Sequence, residues 1–154
     1  MVIQNTPQFS VKEIMNSNVV SVGPDASLKH VSELMSSKKI GSVVIIDKNN
    51  LVGIITERDF ATKVILGNHS GQTTVSEVMS SPVIHLSSDK SVADVIDLMA
   101  NKEIRKIPIV DSGRVIGIVT GTEFLRLFVQ SNDKELQKIY QQYLKRVYNN
   151  WSVD

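Results

Sequence analysis

Two short stretches of the chain carry side chains whose types and spacing could do chemistry. Thr56-Glu57-Arg58-Asp59 follows the apolar run 51–55, and Thr120-Gly121-Thr122-Glu123 follows the apolar run 115–119. In each, a hydroxyl stands three residues before a carboxylate, where a strand pattern gives way to a helix pattern. A carboxylate offers two acceptor oxygens and matches a vicinal diol such as that of a ribose, with its two hydroxyl donors on adjacent carbons. Unpaired amides at a helix start carry partial positive charge and favour phosphate. Arg58, beside the first acid, could also reach a phosphate. The same spacing has a purely structural meaning, because a threonine and an acid three apart form a capping box in helices that bind nothing. The two stretches also differ. Glu123 is the better capping residue, and its extra methylene displaces the carboxylate by about 1.5 Å relative to Asp59.

Other chemistries find little support. The chain has 154 residues and no cysteine, which excludes disulfides, thiolate metal sites and cysteine nucleophiles. Its three histidines, His30, His69 and His85, have no metal-ligand spacing, and neither phosphate-loop nor dinucleotide glycine motifs occur. No nucleophile–base pair is visible, so catalysis is not expected, and neither a metal nor a catalytic cofactor is implied. A hydrophobic fraction of 42% suits a packed core, and a net charge of +1 argues neither for a nucleic-acid partner nor against one. No apolar run approaches the roughly 18 residues of a membrane span. The N-terminus lacks the order of a signal peptide. A soluble, cytoplasmic protein with no membrane partner is the expectation.

The elements that position the two stretches are themselves repeated. Residues 11–60 align with 75–124 without a gap, at an offset of 64 (120 − 56). The identical pairs include Met15/Met79, Asp25/Asp89, Ser27/Ser91, Val31/Val95, Met35/Met99, Gly53/Gly117 and Phe60/Phe124. Two copies point to a pseudo-twofold pair rather than a solenoid. The chain divides into an arm (1–10), a first repeat (11–67), a linker (68–73), a second repeat (74–130) and a tail (131–154).

Each repeat reads as strand–helix–strand–strand–helix, an α/β (α+β) class. Ser10 with Glu13, and Thr74 with Glu77, form capping boxes that open one short turn. Strands follow at 19–22 and 83–86. Asp25 and Asp89 cap helices whose apolar face is Leu28, Val31, Leu34 and Met35, or Val92, Val95, Leu98 and Met99. Runs 42–46 and 51–55 flank a turn at 47–50, and runs 106–110 and 115–119 flank a glycine-bearing turn at 111–114. The closing helices run over 56–66 and from Thr120 to about Gln130. Asp94 and Asp97 read as a solvated face. The tail is one amphipathic helix with Leu136, Ile139, Tyr140, Tyr143, Leu144, Val147 and Trp151 on one side. It docks on the module or on a second copy, contacts nucleic acid, or lies on a membrane surface.

The repeated unit opens Val11-Lys-Glu-Ile-Met15. It passes through Lys39-Ile-Gly-Ser-Val-Val-Ile-Ile-Asp47 or Arg105-Lys-Ile-Pro-Ile-Val-Asp111, and ends at Gly53-Ile-Ile-Thr-Glu-Arg-Asp59. It resembles the CBS (cystathionine-β-synthase) domain over residues 11–124. The resemblance implies a tandem pair, or Bateman module, whose two βαββα repeats pack through their sheets about a pseudo-twofold axis. It implies adenine nucleotides (AMP, ADP or ATP) or S-adenosylmethionine as regulatory ligands. It further implies that each site takes its threonine and acid from one repeat and its adenine-binding strand from the other. The first site would then combine Thr56, Arg58 and Asp59 with His85, Ile104, Arg105, Lys106, Ile107 and Pro108, a basic set suited to phosphates. The second would combine Thr120, Thr122 and Glu123 with Ser21, Val22, Ile40, Gly41, Ser42 and Val43, without that basic cluster. With no enzyme or channel attached, output is expected through a homodimer or an unidentified protein partner. The competing expectation is an interaction scaffold or a nucleic-acid-associated protein that uses the tail.

Overall fold

A computed structural model describes residues 9–130 and 134–148. Most of the arm (1–8), residues 131–133 and residues 149–154 with Trp151 lie outside the described residues. The chain forms two compact units. One contains Asn18–Ile84 and Ser112–Val115. The other contains the residues up to Ser17, His85–Asp111 and Ile116 onward.

The unit built on Asn18–Ile84 contains β1 (Ser21–Val22), α2 (Leu28–Lys38), β2 (Ser42–Asp47) and β3 (Asn50–Thr56). Its sheet has the order β1-β2-β3, with β1 parallel to β2 and β2 antiparallel to β3. Lys48 and Asn49 turn the hairpin with φ of 47° and 68°, the left-handed pair that matches strand twist in two-residue turns. Val43, Val44 and Ile45 are fully buried, as their unbroken apolar run requires. Leu28 and Val31 of α2 pack on Val43, Ile45 and Ile55. A 3₁₀ turn at Val75–Glu77 completes this core with Val75 and Val78, although in sequence it opens the second repeat. The Val75 amide donates to the Ala26 carbonyl (2.8 Å), and Ile54 bridges Ser80. The Met79 side chain lies where a Cβ on Gly53 would go, so that glycine makes room for the methionine.

The other unit repeats the arrangement. It contains α1 (Val11–Ile14), α4 (Val92–Lys102), β4 (Lys106–Asp111), β5 (Arg114–Thr120) from Ile116 onward, α5 (Gly121–Gln130) and α6 (Lys134–Val147). Here α1, from the first repeat, completes a core built largely from the second. Val11 and Ile14 pack with Val92, Val95, Ile109 and Val119. The Val11 amide donates to Lys90 O (2.8 Å), Asn16 bridges Ile118, and Met15 lies against Gly117 as Met79 does against Gly53. Helix α6 lies on α4 and α5 and buries Ile139 and Tyr143 in the same core. Tyr143 stacks on Phe124 with centroids 4.2 Å apart and planes 2° from parallel.

Several local expectations are corrected. The strand expected at 19–22 is Ser21–Val22, and the one at 83–86 shrinks to a single Leu86–Ile109 bridge. Pro82, immediately before the second segment, offers no amide hydrogen to a ladder. The caps of α2 and α4 are Ser27 and Ser91, not Asp25 and Asp89, because the serines stand next to the first helical residue. Thr74 and Glu77 bond side chain to side chain (3.2 Å) and backbone to backbone (3.1 Å), not as a reciprocal box. The helix expected over 56–66 is one α turn, α3 (Glu57–Asp59), followed by a π-helix at Phe60–Ile65. There the Thr62 hydroxyl donates to the Arg58 carbonyl (2.7 Å), a side-chain bond that competes with the regular ladder. Asp94 caps α4 with Ser91, and Asp97 pairs with Arg146 of α6, so neither is a merely solvated charge.

Candidate functional site

In the unit of Asn18–Ile84, β3 carries Thr56 to the sheet end, opposite Ser42 on β2. The Glu57 amide donates to the Gly41 carbonyl (3.1 Å), so Thr56, Gly41 and Ser42 meet at one edge of one unit. The capping geometry fixes Asp59. Its Oδ2 accepts from the Thr56 amide (2.8 Å) and hydroxyl (3.1 Å), and the Asp59 amide donates back to Thr56 Oγ1 (3.3 Å). Asp59 retains 8% of its exposure. Its other oxygen faces a residue absent from the sequence-based site: Lys63 Nζ is 3.0 Å from Asp59 Oδ1. Lys63 also donates to Ser80 Oγ (2.9 Å) and the Val78 carbonyl (3.3 Å). An acid and a lysine four residues apart on a helix is a readable signal that the motif itself does not include. Arg58 is exposed.

The corresponding turn in the other unit is built differently. Glu123 is 3% exposed, and its Oε2 accepts from both the amide and the hydroxyl of Thr120 at 2.7 Å. Thr120 Oγ1 accepts from the Thr122 amide (3.2 Å) rather than from Glu123. The position matching Lys63 is Leu127, and Arg126 lies 4.0 Å from Glu123.

Beside this turn is a cavity of about 360 Å³, wholly within the unit. Arg105, Lys106, Thr120 and Thr122 line it, together with Tyr140 and Tyr148 from the tail region. Sequence reasoning divided the first four between two sites, whereas the fold places them around one space. It also read Tyr140 only as part of the tail's apolar side and did not single out Tyr148. The Arg105 guanidinium lies 4.6 Å from the centre of the Tyr148 ring, a cation–π contact. The Tyr143 hydroxyl donates to that of Tyr148 (3.4 Å). Burial first, and this contact second, push the Tyr143 phenol well above its ordinary pKa.

The remaining expected residues fall into two kinds. His85, Ser21 and Thr122 are exposed, while Ile104, Val22, Ile40, Gly41 and Ser42 are half-buried. Ile107, Pro108 and Val43 are buried, so a ligand would meet their backbone rather than their side chains. Among the described residues, no group of three or more His, Asp or Glu could hold a metal ion, and no helix is long and apolar enough to cross a membrane.

Comparison with known proteins agrees with this architecture. The CBS domain family profile matches residues 11–65 and again 75–130. The chain is 36% identical over 110 residues to the CBS domain-containing protein YhcV of Bacillus subtilis, covering 71% of this chain and 79% of that one. An uncharacterized conserved protein from Pyrococcus horikoshii superposes with a TM-score of 0.78 at 26% identity, covering 85% of this chain and 99% of that one. The CBS domain pair of protein MJ0100, solved with 5′-methylthioadenosine and S-adenosyl-L-methionine, gives 0.73 at 32% identity, covering 80% and 98%. With both repeats matched and the fold shared, the chain belongs to the CBS domain family as a tandem pair.

Proposed function

We propose that this chain is a regulatory module that binds an adenosine-containing ligand (AMP, ADP, ATP or S-adenosylmethionine). It works as a homodimer that passes occupancy to a partner and catalyses nothing itself. The observation that carries the reading is Asp59, a nearly buried carboxylate fixed by Thr56 at the end of β3. Its oxygens are the acceptors a ribose diol needs. Arg58 is the candidate phosphate contact beside it; in the other unit Arg105 and Lys106, lining the cavity with Thr120 and Thr122, are the candidate phosphate contacts, and the backbone of 104–108 is the candidate adenine rim. The adenosine ligands of MJ0100 support the same ligand class. The mechanism is a population shift: ligand favours one arrangement of the module, and the partner reads it.

Calorimetry with AMP, ATP and S-adenosylmethionine tests the reading. Binding of at least one is expected, and Asp59→Ala should weaken it about tenfold or more while unfolding stays cooperative. Silence from all three at millimolar concentration would refute it. Against the nucleic-acid alternative, Tyr143, one of the tail's aromatics, is 1% exposed, so its ring is not offered for base stacking.

A further inference from the structure

The second repeat departs from the first in the turn after its last strand: where the first has Thr-Glu-Arg-Asp, the second has Thr-Gly-Thr-Glu. The tail accounts for that glycine. A Cβ added at Gly121 would lie 2.6 Å from the Tyr143 hydroxyl and 3.6 Å from that of Tyr148. Phe124, one turn further on, is the residue on which Tyr143 stacks. Arg146 of α6 pairs with Asp97 of α4, which fixes the end of α6 nearest Tyr148. The turn that could meet a ligand is therefore covered by a segment outside the repeated unit.

Arg105 joins this arrangement to ligand binding. It lines the cavity with Lys106, Thr120 and Thr122, two cations and two hydroxyls suited to a phosphate chain, and the Tyr148 ring lies against it. A guanidinium held on an aromatic face must leave that face, at least in part, to take phosphate oxygens in its own plane.

We propose that the tail region is a built-in latch on the second repeat, with Tyr148 and the phosphates of a bound nucleoside phosphate competing for Arg105. The latch rests on the nucleotide-binding reading and adds its output element. Ligand uptake through Arg105 frees the Tyr148 ring, and the end of α6 beside that ring carries the signal.

Calorimetry on the full-length chain with ATP, and with adenosine, which has no phosphate, reads the competition for Arg105. Tyr148→Ala should bind ATP about three- to fivefold more tightly than wild type. Tyr148→Phe, which keeps the ring, should match wild type. Removing residues 148–154 gives the calorimetric effect of Tyr148→Ala by an independent route. Equal ATP affinities for wild type, Tyr148→Ala and the chain lacking 148–154 overturn the latch and leave the nucleotide reading intact. Failure of every adenosine ligand to bind the wild type overturns both.

Discussion

The Lys63 ammonium and the Asp59 carboxylate stand 3.0 Å apart, four residues apart along the chain, and the same ammonium reaches Ser80 and the Val78 carbonyl. Lys63 thus ties the acid to the segment that opens the second repeat. Its side chain is 41% exposed, so the pair is worth a surface ion pair plus two hydrogen bonds. Lys63→Met should cost about 1 kcal/mol and lower the melting temperature by about 2–4 °C. Thermal melts at low and high salt check this, because the difference should shrink as salt screens the pair.

Glu123 separates capping from ligand recognition. Its buried carboxylate accepts both the Thr120 amide and hydroxyl, so Glu123→Ala strands two partners. The expected loss is about 2 kcal/mol, or about 4–8 °C in melting temperature. ATP affinity should stay within about twofold of wild type, since the ligand-facing acid is assigned to Asp59. A large loss of affinity with unchanged melting would reverse that assignment.

Gly121→Ala tests the seat of the tail. The new methyl group would meet the Tyr143 hydroxyl, which belongs to a fully packed aromatic stack with little room to give. The variant should undock α6, and limited proteolysis should cut between 131 and 148 well before it cuts wild type. Gly113→Ala, in the open β4–β5 turn, is the control for a glycine with no neighbour within 4 Å. Its φ of 77° makes it costly in stability without affecting the tail.

Alkaline unfolding should report on Tyr143. Its phenol is raised in the folded chain above the ordinary value near 10, chiefly by burial. Below that value both folded and unfolded chains keep the proton, and the neutral phenol's contribution is fully present. Above it the unfolded chain sheds the proton first, so stability falls as pH rises past about 10. Tyr143→Phe keeps the ring on Phe124 and should flatten the pH dependence of melting between about pH 9 and 11.

The gapless register, the two hairpins and the apolar faces of α2 and α4 were legible because each follows from spacing along a single segment. Thr56 and Asp59 were legible for the same reason, since a capping box is defined by an interval of three. Lys63 lay within reach of the same reasoning, four residues beyond Asp59, but the ligand motif drew attention only to what came before it. The Arg105–Tyr148 contact was not legible: amphipathic spacing shows that α6 has an apolar side, but not which turn that side covers. The exchange of α1 and the Val75–Glu77 turn was hidden for a different reason. Internal similarity shows which segments correspond, and packing alone decides which core each one completes.

That exchange decides how the chain can be dissected. A cut in 68–73, where the repeats meet in sequence, would deprive each half of a stopper for its own interior. The N-terminal half would lose Val75 and Val78 from beside Leu28 and Val31. The C-terminal half would lose Val11 and Ile14 from beside Val92 and Val95. Neither repeat is its own folding unit, and separately expressed halves should regain order only when mixed, each returning the piece the other lacks.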